Sequence, residues 1–166
     1  IRDSVLLQLW SFGYVFVDAL AIAAQTLVSE YKTKFHDYRN SDLKIYLNKL
    51  TLRISASLFV FSSIFLDTLI TLITDKSLGQ LIDFELRILF GLSLLIGSFA
   101  FLWDGVLLGL DKSREFSSLT VVSSIVGFVS CSYLLNFENS LSSLWIGLNL
   151  SLVYRGIVGF LYQIRD

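Results

Sequence analysis

Five long stretches of this chain carry almost no charge, and this feature restricts the fold more than any other. They cover residues 4–29, 54–74, 88–110, 116–137 and 139–164. Because a helix in water needs a polar face along its length, such stretches must be solvated by lipid or by one another. Each is long enough for a transmembrane helix, which needs about 20 residues to cross a hydrocarbon core of about 30 Å.

The stretches predict helices and not the strands of a β-barrel. Barrel strands are about ten residues long and alternate between apolar and polar side chains, a pattern that is missing here. Backbone groups in lipid must be paired within their own segment, and an uninterrupted helix achieves this. Hydrophobic residues make up 54% of the chain and the mean hydropathy is +0.69. The predicted fold is an all-α membrane protein, one transmembrane domain over residues 1–166 with about five helices.

The composition also excludes several classes of function. A net charge of −1 gives no basic surface for nucleic acid. The single cysteine, Cys131, cannot form a disulfide within the chain, and no cluster of Cys and His predicts a metal site. The sequence has no methionine and begins at Ile1, from which we expect a fragment or a processed product.

Lys and Arg residues are shared unevenly between the two sides of the predicted membrane. Residues 30–53, the connection at 111–115 and the C-terminus together carry nine of them, and the opposite side carries three. The positive-inside rule therefore places the richer side in the cytoplasm. With five spans, the N-terminus is then outside and the C-terminus cytoplasmic. The predicted location is the plasma (inner) membrane or an organelle membrane.

Two further patterns concern packing. In the long polar stretch His36 is expected to be solvated, and leucines at helical spacing predict an amphipathic segment that leads into the second span. Small residues recur four positions apart at Ala19 and Ala23 and at Gly105 and Gly109. Such pairs let helices approach closely in lipid, so we expect them in helix contacts.

Four ionisable residues fall inside the spans. An Asp at the centre of a membrane helix costs about 2.5–3.5 kcal/mol, so something must offset each of them. Asp18 lies mid-span with Gln25 two turns later on the same face, which favours an ion or proton site over a packing contact. Asp104 has no base within one turn, so its partner must come from another helix, from water or from a cation. Asp67 is expected to reach water, and Arg155 to snorkel or to pair with an acid or with carbonyl groups.

Several segments together resemble a known family. The run VDALAIAAQTLV at 17–28 is similar to the eighth helix of multidrug and toxic compound extrusion (MATE) transporters of the DinF-like branch. The run FLWDGVLLGL at 101–110 resembles the tenth helix, which in that branch reads close to F-x-x-D-G-x-x-x-G. Residues 70–75 resemble the end of the ninth helix. Residues 144–156, with Trp145 and Arg155, resemble the last one.

The resemblance implies a cation-coupled antiporter that extrudes organic or toxic compounds in exchange for protons or sodium ions. Such transporters have twelve helices in two lobes, so this chain corresponds to helices 8–12. Its expected partners are membrane lipid, a small organic substrate, an N-terminal lobe and the missing first helix of its own lobe. Asp104 and Asp18 correspond to coupling residues, Gln25 and Tyr14 to the substrate cavity, and Arg155 to a structural charge within the membrane. No other cofactor and no enzymatic activity are expected.

Two alternatives remain open. The chain fits a non-catalytic membrane scaffold or a degenerate fragment, because residues 31–34 lack the small-residue signature usual after the eighth helix of the family. It also offers two carboxylates, Asp18 and Asp104, to an intramembrane aspartyl protease, in which an acid pair shares a proton. The Gly-x-Gly-Asp signature of such proteases is missing, since Gly109-Leu110-Asp111 is one residue short of it.

Overall fold

The structure, a computed structural model, describes residues 2–35, 42–73, 84–137 and 141–165. It forms five helices there: α1 (Arg2–Phe35), α2 (Asp42–Ile73), α3 (Phe84–Gly109), α4 (Ser113–Phe137) and α5 (Leu141–Arg165). All five are long and apolar enough to cross a membrane, and these residues contain no strand. The prediction of an all-α bundle of five membrane-spanning helices is confirmed.

The helices extend beyond the predicted spans at several ends. The amphipathic segment before the second span is continuous with it, so that α2 runs unbroken for 32 residues. Within this segment Leu47 is buried and Arg53 is exposed. His36 and residues 74 and 139–140 of the predicted spans lie outside the described residues. The polar start of α2 is therefore part of a long helix that passes from a charged end into an apolar one.

Helix α3 lies at the centre of the bundle. It contacts all four other helices, whereas α1 and α2 touch each other sparsely and α4 packs mainly on α5. Its small residues allow this close packing. The missing side chain of Gly97 leaves room for the ring of Tyr14, and Gly105 lies against the backbone carbonyl of Ala21. Gly109 continues this contact at Gln25.

The expected packing of small-residue pairs is found for one pair and not for the other. Gly105 and Gly109 both face the backbone of α1. Ala19 and Ala23 are exposed on α1 instead, so the expectation was wrong for them. The reason is that α1 turns a different face, which includes the buried Ala24 and Val28, towards α3.

A short turn joins α3 to α4 and ends α3 in a Schellman motif. The amide of Lys112 donates to the carbonyl of Leu107 at 2.9 Å, and the amide of Asp111 donates to Leu108 at 3.1 Å. Asp111 has a φ of 63°, the left-handed conformation that glycine usually supplies at this position. Lys32 of α1 stabilises the turn, because its ammonium group donates to the carbonyl of Leu110 at 3.0 Å and to Asp111 Oδ2 at 2.8 Å.

Candidate functional site

Asp104 lies in the most buried helix of the bundle. Its side chain is 6% exposed, in the last turn and a half of α3. The next residue, Gly105, packs against α1, and Trp103 before it packs against Gly159 and Phe160 of α5. Because neighbouring helices enclose α3 at this position, the carboxylate is almost completely screened from water.

The partner of Asp104 comes from another helix, α5. Arg155 Nη2 lies 2.7 Å from Asp104 Oδ2, and its side chain is 17% exposed. Arg155 is the single base within the five spans of the sequence, which is the signal that favours this pairing. The ion pair joins the central helix to α5 at the depth of the membrane spans.

Two aromatic rings flank the guanidinium group of Arg155. Its Cζ atom lies 5.2 Å from the ring centroid of Phe101 on α3 and 5.8 Å from that of Phe116 on α4. Both distances are within the range of about 6 Å for cation–π attraction. The rings were not predicted, because phenylalanines in apolar spans carry no signal that separates a cation partner from a packing residue. Side chains of two neighbouring helices, α3 and α4, thus contact the positive charge of α5.

The ion pair leaves hydrogen-bonding capacity unused. Asp104 Oδ1 and Oδ2 and Arg155 Nε are buried and make no hydrogen bond within the described part of the chain. The contact between Arg155 and Asp104 is therefore close in distance but not aligned as a hydrogen bond. Buried carboxylates normally have their oxygens satisfied. Here Oδ2 contacts Arg155 and Oδ1 has no partner within the described residues, so Oδ1 can accept a proton, a water molecule or a cation.

Asp18 lies in a different environment from Asp104. It is exposed on α1, between the Tyr14–Gly97 and Ala21–Gly105 contacts with α3, and the structure does not bring the two acids together. Four exposed polar residues recur at helical spacing on the side of α1 that carries it, with the exposed Val15 and Ile22 between them. These four residues form a polar stripe: Ser11, Asp18, Gln25 and Ser29. Because an exposed carboxylate at membrane depth is costly in lipid, this stripe requires water or a polar partner surface.

The two residues assigned to a substrate cavity are placed differently. Gln25 is exposed in the polar stripe, while Tyr14 is buried in the interface between α1 and α3. The hydroxyl of Tyr14 donates to the carbonyl of Ser93 at 3.2 Å. The ring of Tyr14 lies 5.0 Å from that of Phe101, the ring that also contacts Arg155, so this side chain packs beside the buried ion pair.

A second ion pair also joins an arginine to an aspartate, but its side chains are more exposed to solvent. Arg87 Nη2 lies 2.6 Å from Asp67 Oδ2, with side chains 26% and 40% exposed. Asp67 was expected to reach water, and its partial exposure is compatible with that. Its pairing with Arg87, the residue just before the predicted third span, was not predicted. The described residues contain no group of three or more His, Cys, Asp or Glu side chains that could hold a metal ion.

Comparisons with known proteins do not assign the chain to a family. No protein-family model, no curated protein and no solved structure gives a significant match. The function therefore has to be argued from the site itself.

Proposed function

We propose that this chain is part of a secondary active transporter, a cation-coupled antiporter that extrudes organic compounds, with the Asp104–Arg155 pair as its coupling site. The observation that carries the proposal is a buried ion pair between two membrane-length helices, in which the carboxylate oxygens make no hydrogen bond within the described residues. An ionisable group inside a membrane span is by default a candidate for an ion or proton pathway. The resemblance to MATE transporters points to the same residue.

In this proposal Arg155 and the coupling ion compete for one carboxylate. A proton or sodium ion that binds Asp104 neutralises it and removes the electrostatic attraction to Arg155. The guanidinium group then remains between Phe101 and Phe116, which reduces the cost of its unpaired charge. Loss of the link between α3 and α5 changes the relative stability of two arrangements of the helices. Alternating access requires a bias of this kind.

The polar stripe on α1 has a place in the same mechanism. Asp18 and Gln25 are exposed on a helix that is otherwise suited to lipid. A water-filled passage between this chain and a second lobe would solvate them. In the proposed orientation, with the end of α1 in the cytoplasm, the stripe continues from the middle of the membrane towards the cytoplasmic side.

The protease alternative receives no support from the geometry. An aspartyl protease needs two carboxylates close enough to share a proton. Here Asp104 is buried against Arg155 and Asp18 is exposed on another helix. The scaffold alternative keeps one supporting observation, because the same ion pair can serve to fix α5 against α3.

Transport measurements with the full-length protein test the proposal. In proteoliposomes, a proton or sodium gradient should drive export of a cationic dye such as ethidium, and Asp104→Asn should abolish this export while the protein stays folded. Asp67→Asn is the matched control, because it neutralises the acid of the more exposed pair and should leave export largely intact. Unchanged gradient-driven export in Asp104→Asn would rule the coupling role out. A wild-type protein without any transport would favour the scaffold.

A further inference from the structure

A cleft separates α1 from α2 on the outside of the bundle. The two helices both pack on α3 but touch each other sparsely. The cleft has a volume of about 410 Å³. Its lining is almost entirely apolar and includes aromatic and leucine side chains from all three helices: Leu9, Phe12, Phe16, Leu66, Phe90 and Leu94.

The cleft continues towards the charged end of α2. A second depression, of about 480 Å³, shares Phe16, Leu58 and Phe61 with the first and adds Arg53. One continuous groove therefore runs from the apolar half of α2 to an arginine. A groove of this shape has an elongated apolar part and a single cationic end.

Arg53 is well placed to meet a lipid headgroup. Its side chain is exposed, and it makes no ion pair or side-chain hydrogen bond within the described residues. It is the last charged residue before the apolar part of α2 at 54–73, which at 1.5 Å per residue matches a hydrocarbon core of about 30 Å. An arginine in this position extends its apolar stem along the groove and its guanidinium group towards the interface.

We infer that the groove between α1 and α2 binds one anionic phospholipid, with the phosphate on Arg53 and an acyl chain between the two helices. A guanidinium group matches the geometry of a phosphate and can donate two parallel hydrogen bonds to it. The apolar walls of the groove match the chemistry of an acyl chain. The positive charge of Arg53 at the mouth favours a lipid with net negative charge over a zwitterionic one. This inference is independent of the transport function.

Native mass spectrometry of the delipidated full-length protein tests the headgroup contact. The protein is titrated with phosphatidylglycerol and with phosphatidylcholine of identical acyl chains, and wild type should bind the anionic lipid more tightly. Arg53→Gln should weaken phosphatidylglycerol binding about fivefold, the effect expected of one basic side chain near anionic lipid, and leave phosphatidylcholine binding unchanged. Arg114→Gln is the control, because Arg114 is an exposed arginine at the start of α4 outside the groove. Equal losses in the two variants, or no loss in Arg53→Gln, would overturn the proposal.

Competition experiments test the acyl-chain contact. Inorganic phosphate and glycerol phosphate carry the anionic group without an acyl chain, so neither should displace the bound lipid at millimolar concentration. Displacement by either would show that Arg53 is a simple anion site and would overturn the proposal. A dimer that forms as lipid is removed, and that excludes added phospholipid, would instead identify a second copy of the chain as the occupant and would also overturn it.

Discussion

The Asp104–Arg155 pair makes a quantitative prediction about stability. We consider Asp104→Asn, Arg155→Gln and the double variant, each of which replaces a charged group by a neutral amide of similar size. The charged atoms are in contact at 2.7 Å, and both side chains are more than four-fifths buried. With charge centres about 4 Å apart and an effective dielectric constant of about 20, their attraction is about 4 kcal/mol.

Each single substitution leaves one buried charge without its partner. We therefore expect either variant to lower the free energy of unfolding by about 3–5 kcal/mol. The double variant carries no buried charge, so its loss should be smaller than the sum of the two single losses by at least about 2 kcal/mol. Arg155 in Asp104→Asn keeps its contacts with Phe101 and Phe116, which places this variant near the lower end of the range.

Reversible unfolding of the purified protein in mixed micelles, followed by circular dichroism, measures all four free energies. The Asp67–Arg87 pair provides the control cycle, because its distance of 2.6 Å is similar but its side chains are more exposed. For that cycle we expect a coupling of less than about 1 kcal/mol. If the Asp104 and Arg155 losses add within about 0.5 kcal/mol, the two charges do not interact as the structure indicates, and the coupling mechanism proposed above loses its basis.

Two further predictions concern helix packing and the α3–α4 turn. Gly105→Ala should destabilise the protein by about 1–3 kcal/mol, because the added methyl group overlaps the carbonyl of Ala21. Gly156→Ala, where the nearest atoms are 3.9 Å from the added carbon, should change the unfolding free energy little in the same assay, and equal losses would contradict the packing argument. Lys32→Gln should raise hydrogen exchange in the turn around Asp111 by at most about fivefold, because the pair is exposed and contributes less than about 1 kcal/mol. Unfolding of the whole bundle in this variant would show that the turn contributes much more than its geometry implies.

The sequence predicted the number and type of helices well, because membrane helices depend on the length of apolar runs. It did not predict which helix is central. Hydropathy measures transfer into an apolar medium, and lipid and protein interior are alike in this respect. The residues that make α3 central are small ones such as Gly97 and Gly105, and their effect depends on which neighbour approaches them.

For each of the two deep acids, the neighbouring residues in the sequence carried information that the position of the acid alone did not. Asp104 follows Gly97 at seven residues and Ala100 at four, so small residues on the preceding two turns of its face leave room for a neighbouring helix. Asp18 shares its side of α1 with Ser11 and Gln25, seven residues on either side, so polar groups recur there every two turns with Val15 and Ile22 between them. A charge that follows small residues on its face becomes buried and needs a partner from another helix, whereas a charge among recurring polar residues stays exposed and needs water. The surroundings of each acid at helical spacing thus distinguish a buried ion pair from a solvated carboxylate.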